Sequence, residues 1–309
     1  MDSESGVPGQ LPPDGAGRHP ARLRVGIVGP GRVGTALGVA LARAGHEVVA
    51  VAAVSDASVR RAREHFPAAS VADPANVVAA ADLVLLTVPD DALPGLISGL
   101  AATGAALGGR LLAHTSGRYG AQVLEPAARL GALPLALHPV MTFTGRSDDL
   151  LRMRGICFGV TAPDQLRAVA EALVIEMEGE PVFIAEENRA LYHAGLASAA
   201  NHLVTLVTES CDLLRAAGAA DPARMLSPLL FAALDNALRL GDAGLTGPVA
   251  RGDVGTVARH LEALRETAPE ALAVYVALAR LTADRALAAG LLTPPDAERL
   301  LDVLSGAHR

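Results

Sequence analysis

The chain has 309 residues, 51% of them apolar, and a net charge of −7; that length suits two domains of ordinary size, each with its own core. Aromatic residues make up 3% and tryptophan is absent, which argues against the stacking platforms that single-stranded nucleic acid needs, while the negative balance argues against a nucleic-acid or anionic-membrane surface. All 26 basic residues are arginine, so Schiff-base chemistry, a phosphate-loop lysine and a lysine general acid are excluded.

Residues 1–20 are rich in Gly, Pro, Asp and Ser, lack an apolar h-region, and read as a disordered tail. The short apolar run 23–28 predicts a first strand. It breaks into Gly29-Pro30-Gly31-Arg32-Val33-Gly34, and a helix follows over 33–44, closed by Gly45. The spacing is G-x-G-x-x-G between a strand and a helix. The first glycine permits the tight turn, the second lets backbone approach a pyrophosphate, and the third lets the helix pack close to the strand. The helix N-terminus then turns its free N–H groups to the anion. Gly29, Gly31, Arg32, Val33 and Gly34 are therefore expected to bind a dinucleotide.

Further strands are predicted at 47–54, 69–71, 82–88, 110–114 and 133–137, alternating with helices near 57–66, 74–80, 91–101 and 119–130. Several strands are near-continuous apolar runs, as parallel strands covered on both faces should be. Two more strands, 156–160 and 181–185, flank a helix near 163–177 and extend the same sheet. The expected fold class is α/β, a doubly wound, mostly parallel sheet. From about 187 the pattern becomes Ala/Leu-rich helix, at 187–217, 222–241, 253–264 and 268–289, punctuated by Gly218, Gly241, Gly290 and Pro294-Pro295. The expected organisation is a dinucleotide-binding domain over 21–186 and an all-helical substrate or dimerisation domain over 187–309. Leu191 to Thr208 carries no formal charge and reads as a buried helix rather than a membrane span. It is more apolar than one small domain covers, so a homodimer is expected. Cys157 and Cys211 lie far apart, without metal or redox spacing, and are expected to be buried thiols in a reducing cytoplasm.

In open α/β sheets, ligands sit outside the carboxyl ends of the strands. The unusual residues fall there: Ser55-Asp56 after strand two, Val88-Pro89-Asp90 after 82–88, His114-Thr115-Ser116-Gly117 after 110–114, and His138-Pro139 after 133–137. Val88 and Pro89 join the cofactor-binding set, and His114 and Ser116 the substrate-binding set. The end of strand two reports on the adenosine ribose. An acid there binds the 2′-OH of NAD, whereas arginines suit the 2′-phosphate of NADP. Ser55, Arg60, Arg61 and Arg32 favour NADP(H), and Asp56 keeps NAD(H) in play.

The segment after the sheet holds Tyr192-His193-Ala194-Gly195 and Ala199-Ala200-Asn201-His202, with positions 193, 197 and 201 one helical turn apart. The chain resembles the reductases with a Rossmann-type sheet and a following helical domain, among them β-hydroxyacid dehydrogenases, ketopantoate reductase and pyrroline-5-carboxylate reductase. Asn201 matches the asparagine of a Lys-x-x-x-Asn pair found in some of them, but the lysine position is Ala197, so the usual proton donor is missing. More closely, it resembles the bacterial family that joins a Rossmann-like domain to a domain of unknown function numbered 2520. The matching pieces are GPGRVG at 29–34, VPD at 88–90, HTSG at 114–117, HPV at 138–140, YHA at 192–194, AN at 200–201 and GPVARGD at 247–253. That resemblance implies NADP-type binding and reductase activity on an unassigned substrate, with ketopantoate one option.

Without lysine, the candidate proton donors are His193, His138, His114 and Tyr192, since imidazole suits proton transfer near neutral pH. His193 is preferred for lying one turn before Ala197 on the same side. Tyr192 projects elsewhere and reads as a core residue. Asn201 would orient the carbonyl, Ser116 would bind a carboxylate or hydroxyl, and Arg251 would pair with a substrate acid, unless it is only a surface partner of a helix-capping Asp253. The expected function is NADP(H)-dependent reduction of a small keto acid. The alternatives are an imine reductase and a non-catalytic dinucleotide sensor, for which the absent lysine is the best support.

Overall fold

Near-continuous aliphatic runs become strands because both their faces are covered. Strands β1 (Arg24–Val28), β2 (Glu47–Ala52), β3 (Ser70–Val71), β4 (Leu83–Leu86), β5 (Leu111–His114), β6 (Leu133–Pro139), β7 (Cys157–Thr161) and β8 (Glu180–Phe183) form one sheet, ordered β3-β2-β1-β4-β5-β6-β7-β8. Every residue of β4, Leu-Val-Leu-Leu, is at most 1% exposed, as a central parallel strand requires. The structure, a computed structural model, describes residues 22–146 and 148–306; the expected tail at 1–20 lies outside them. Two compact units divide the chain, Met1–Leu196 and Ala197–Arg309.

The first unit has the expected doubly wound α/β architecture. Its helices are α1 (Arg32–Arg43), α2 (Asp56–His65), α3 (Pro74–Ala80), α4 (Leu93–Ala102), α5 (Glu125–Ala128), α6 (Asp149–Arg152), α7 (Arg167–Glu176) and α8 (Arg189–Ala197). The helix expected over 119–130 is reduced to a 3-10 turn, Ala121–Leu124, and the four-residue α5. Pro126 in its first turn has no N–H to continue a helix from upstream. Strands β3 to β6 pair in parallel, β7 runs antiparallel to β6, and β8 follows β7 in parallel. The reversal places Gly159 opposite His138.

The helix expected over 187–217 is broken. After α8 comes a π-helical turn, Ser198–His202, and then α9 (Leu203–Ala216). A π-turn bonds i to i+5, so the regular period stops at Ala197. Nor is the uncharged stretch buried: Leu191 is 76% and Val204 67% exposed. Among the described residues no helix is long and apolar enough to cross a membrane.

The second unit is helical throughout, with α9, α10 (Pro222–Leu240), α11 (Gly247–Ala250), α12 (Val254–Thr267), α13 (Pro269–Ala288) and α14 (Pro294–Ser305). Its core gathers Val257 and Leu261 with Ala283, Ala286, Leu300 and Leu304. Helix α14 went unpredicted because Pro294-Pro295 reads as a breaker. Proline is tolerated in a first turn, however, and Thr293 caps this one by accepting from Asp296 N–H.

Candidate active site

The glycine turn closes as its spacing requires. Gly29 has φ 87°, Gly31 N–H donates to Gly29 O at 2.6 Å, and α1 starts immediately after Gly31 with no side-chain cap and no acid in its first turn. The N–H groups of that turn have no intrahelical acceptor. A Cβ on Gly34 would collide with Thr87 Oγ1 and reach Gly29 O at 2.8 Å. Thr87 Oγ1 donates to Gly29 O at 2.6 Å, bracing the turn where the strand order reverses between β1 and β4. Sequence reasoning stopped at Val88 and Pro89 and missed Thr87. Its signal is a hydroxyl ending a wholly apolar strand.

Gly31 is different. Its φ is −76°, and the nearest atom to an added Cβ is Gly29 O at 3.8 Å. The fold itself has room for a side chain there.

Arg32, Arg60, Arg61 and Arg146 line one cavity of about 400 Å³ beside this turn, together with Glu64, His65 and Asp149. Arg61 Nη1 donates to Pro30 O at 3.3 Å. Asp149 accepts from Thr144 Oγ1 at 2.8 Å and Gly145 N–H at 2.7 Å. Burial opposes its ionisation, but these donors outweigh that and hold the carboxyl below its usual range. Arg146 was not expected here; it arrives on the loop after β6. Ser55 stands at the N-cap of α2, where its hydroxyl accepts from Ser58 N–H at 3.2 Å, so its side chain serves the helix.

A second cluster stands at the ends of β5 and β6. The glycine turn lies two and three strands away, about 10–15 Å at ordinary strand spacing. His114 is fully buried. Its Nδ1 accepts from Ser116 N–H at 3.2 Å, and its Nε2–H donates to Gly120 O at 2.8 Å. Burial, with lesser influences, holds this ring at about 4. With both nitrogens engaged, His114 has no atom for a ligand; its expected substrate contact gives way to a role in shaping the Thr115-Ser116-Gly117 loop. Ser116 is 6% exposed and accepts from Tyr119 N–H at 3.4 Å.

His138, Tyr192 and His193 meet around two glycines. His138 Nδ1 lies 2.7 Å from Tyr192 Oη, and the His138 and His193 rings are perpendicular, 6.3 Å between centroids. A Cβ on Gly117 would come within 2.7 Å of His193 Cδ2 and 3.0 Å of His138 Nε2. A Cβ on Gly159 would collide with Tyr192 Oη and approach its Cζ to 2.5 Å. Burial, then the charges of Arg189 and His193, push His138 down to about 4, and burial pushes the Tyr192 phenol up. Tyr192 is thus a hydrogen-bonding partner of His138, not the core residue its position in the helix pattern indicated.

Beneath them lies Arg189, 2% exposed. Its Nε donates to Thr161 Oγ1 at 2.7 Å and its Nη2 to Gly159 O at 3.0 Å. Nη1 has no hydrogen-bond partner, and no carboxylate pairs with this guanidinium among the described residues. Sequence reasoning passed over Arg189; the signal is one cation at the start of an uncharged helix. Asn201 and Arg251 belong to the second unit. Asn201 is exposed on the π-turn and Arg251 is exposed after α11. Asp253 caps α12, accepting from Thr256 N–H at 3.0 Å.

A Rossmann-like domain matches residues 10–139, and the domain of unknown function 2520 (DUF2520) matches residues 156–282. The chain is a Rossmann-like protein carrying DUF2520. No curated protein is significantly similar to it. Among solved structures it is similar to a Bacteroides fragilis protein named as an NADP oxidoreductase, with 23% identity, 85% of this chain and 98% of that chain covered, and a TM-score of 0.67. It is also similar to a Streptococcus pyogenes 1-pyrroline-5-carboxylate reductase, at 15% identity, 86% and 98% coverage, and a TM-score of 0.56. A reductive aminase of Aspergillus terreus, solved with NADPH and ethyl-5-oxohexanoate, matches at 17% identity, 94% coverage of each chain, and a TM-score of 0.56. At such identities the likeness shows the fold.

Proposed function

We propose that this chain is an NADP(H)-dependent reductase of a small carbonyl compound, a 2-keto acid being the first choice. One observation carries the dinucleotide. Gly31 has an ordinary backbone conformation and free space around it, so nothing in the fold calls for glycine. A pyrophosphate lying on the uncapped start of α1 does, because it must approach the backbone there. The first-turn N–H groups of α1, with Val33, Val88 and Pro89, would hold the cofactor. The arginines of the adjoining cavity favour the 2′-phosphate of NADP over the free hydroxyl of NAD. The names of the similar structures, an NADP oxidoreductase and an NADPH-bound aminase, support the same reading.

When bound, the reduced nicotinamide supplies hydride. The chain must then place the substrate and supply a proton. For the proton, His138 and His193, which meet beside Gly117, are the proposed groups, and Ser116 on the loop after β5 is a proposed substrate contact; in the helical unit, taken by itself, the proposed contacts are Asn201 and Arg251. The similar imine-reducing proteins favour cyclic imines as the second substrate class. We further infer a homodimer, because Leu203 and Val204 on α9 and Leu229, Phe231 and Leu238 on α10 are exposed and such apolar patches mark association surfaces. Static light scattering should give twice the mass of one chain. Both thiols are free, Cys211 buried and Cys157 exposed rather than buried as expected, and free thiols suit a reducing cytoplasm.

The test is NADPH titration by fluorescence, followed by loss of NADPH absorbance with 2-keto acids, ketopantoate first, and cyclic imines. Turnover establishes the reductase. A raised melting temperature with NADPH and no turnover across the panel would mark a dinucleotide sensor instead. Absence of binding would remove both.

A further inference from the structure

We infer that Tyr192, His138 and Arg189 form a proton relay that replaces the missing lysine: the Tyr192 phenol is the proton source, His138 conducts the proton through its ring, and Arg189 is the buried countercharge. The inference rests on the reductase reading for its substrate, but its geometry stands on the chain's own residues.

Three observations carry it. First, the Tyr192 Oη to His138 Nδ1 distance is 2.7 Å, and the opposite ring nitrogen, Nε2, faces the Gly117 side, where an added Cβ would lie 3.0 Å away. A phenol donating to Nδ1 leaves the ring proton on Nε2. That N–H then lies on the Gly117 and His193 side of the ring, away from Tyr192. Second, two missing side chains make the arrangement possible. Gly159 admits the phenol to His138, and Gly117 admits His138 and His193 to each other. Neither glycine has positive φ, so the backbone of each is ordinary and the space is what matters. Third, Arg189 is 2% exposed, has one unpartnered nitrogen, and makes no salt bridge among the described residues, Glu186 acting on it only from beyond contact distance. Its guanidinium carbon is 5.5 Å from the Tyr192 ring centroid. A buried cation without a carboxylate is costly. It is well placed if a negative charge forms beside it during turnover.

The step balances as follows. A bound reduced nicotinamide would supply hydride to the substrate carbon, and the C=O or C=N π pair would move to the heteroatom. That heteroatom takes the Nε2 proton of His138, while Nδ1 takes the proton of Tyr192. The ring is neutral before and after, with its tautomer exchanged. The charge left is a phenolate at Tyr192, facing Arg189; a solvent proton taken up at Nε2, with the Nδ1 proton returning to the phenolate, restores both the phenol and the starting tautomer. Glu186, His193 and Cys157 are the other charged or titratable groups bearing on this cluster, and His114 has both nitrogens engaged.

The relay is tested on the full chain labelled with 15N-histidine, by long-range 1H–15N correlation near pH 7.5. The His138 signals are identified by their loss in His138→Gln. The expected result is a neutral ring with its proton on Nε2, and a loss of that preference in Tyr192→Phe. A proton on Nδ1, an imidazolium, or a Tyr192→Phe spectrum like the wild type would overturn it. Arg189→Met should raise the pH at which the Tyr192 phenol ionises, read as absorbance at 295 nm, where the absence of tryptophan and the presence of only three tyrosines make it resolvable; Arg189→Lys should restore it. An unchanged phenol titration in Arg189→Met overturns the countercharge, and if that variant does not fold, the charge-removing but hydrogen-bonding Arg189→Gln decides by the same reading. NADPH affinity should be unchanged in Tyr192→Phe, and failure of NADPH to bind the wild type would remove the reductase reading while leaving the tautomer result to stand by itself.

Discussion

Gly159→Ala is the substitution that most directly probes the second cluster. The new Cβ would collide with Tyr192 Oη and sit 2.5 Å from its Cζ. Carbon–carbon contacts settle near ~3.5–4.0 Å, so the ring must retreat by about 1 Å. The 2.7 Å bond to His138 then stretches to roughly 3.7 Å, past hydrogen-bonding range. Overpacking costs about 1–3 kcal/mol and the lost bond about 1 kcal/mol, so the variant should be less stable by about 2–4 kcal/mol. Urea unfolding of the full chain measures this. A double-mutant cycle assigns the cause: Tyr192→Phe should cost about 1 kcal/mol in the wild type and close to nothing in Gly159→Ala. A Gly159→Ala chain within ~0.5 kcal/mol of wild type, the range of an inert surface change, would refute the steric argument. So would an equal cost of Tyr192→Phe in both backgrounds.

Other expectations follow from the same geometry. Gly31→Ala should leave stability within about 0.5 kcal/mol yet weaken NADPH binding at least tenfold by calorimetry, whereas Gly34→Ala should destabilise the fold through Thr87 and Gly29 O. Arg60→Ala and Arg146→Ala should each erode the preference for NADPH over NADH about tenfold or more, since a charge-assisted bond is worth about 1.5–3 kcal/mol; equal losses for both cofactors would detach these arginines from the 2′-phosphate. Stability should fall as pH drops from 6.5 toward 4. Buried His114 binds a proton only near 4, a free imidazole already near 6.5, so within that window the unfolded chain holds the extra proton and acid favours it. The His114 contribution approaches about 3 kcal/mol. His114→Gln, which retains one donor and one acceptor, should reduce the slope of melting temperature against pH, the remainder belonging to His138, which burial also holds at about 4.

What could be read from the chain alone is what local pattern encodes. The G-x-G-x-x-G turn follows a strand and opens a helix within a dozen residues, so Gly29, Gly31 and Gly34 announce themselves. The aliphatic runs of β1, β4 and β5 likewise identify strands covered on both faces. The direction of β7 is a tertiary choice: residues 156–160 look the same whichever way they pair. Yet that direction sets Gly159 against His138 and so creates the niche that Tyr192 fills. A helical wheel on 187–217 ranks His193 above Tyr192 because it sees only one element. The π-turn at Ser198–His202 then ends the periodicity on which the alignment with Asn201 depended. Arg146 was invisible for a similar reason, since its cavity is assembled from α1, α2 and the loop before α6.

The glycines separate into kinds that sequence cannot distinguish. Gly29 is required by its left-handed backbone and Gly34 by the atoms of Thr87 packed against it; both would be glycine in a fold that bound nothing. Gly117 and Gly159 are required by side chains with titratable or hydroxyl groups, His138, His193 and Tyr192, that come together only because no Cβ stands between them. A structural core would fill such a niche with aliphatic carbon, as the rest of this sheet does. Holding two half-buried, proton-bearing rings over a buried guanidinium with no salt-bridge partner among the described residues costs stability that an aliphatic packing would avoid. That expense is intelligible where a proton must move, and it lies at the strand ends that also carry the glycine turn. Gly31 adds the complementary argument at the glycine turn: there the protein leaves room that its own packing does not use.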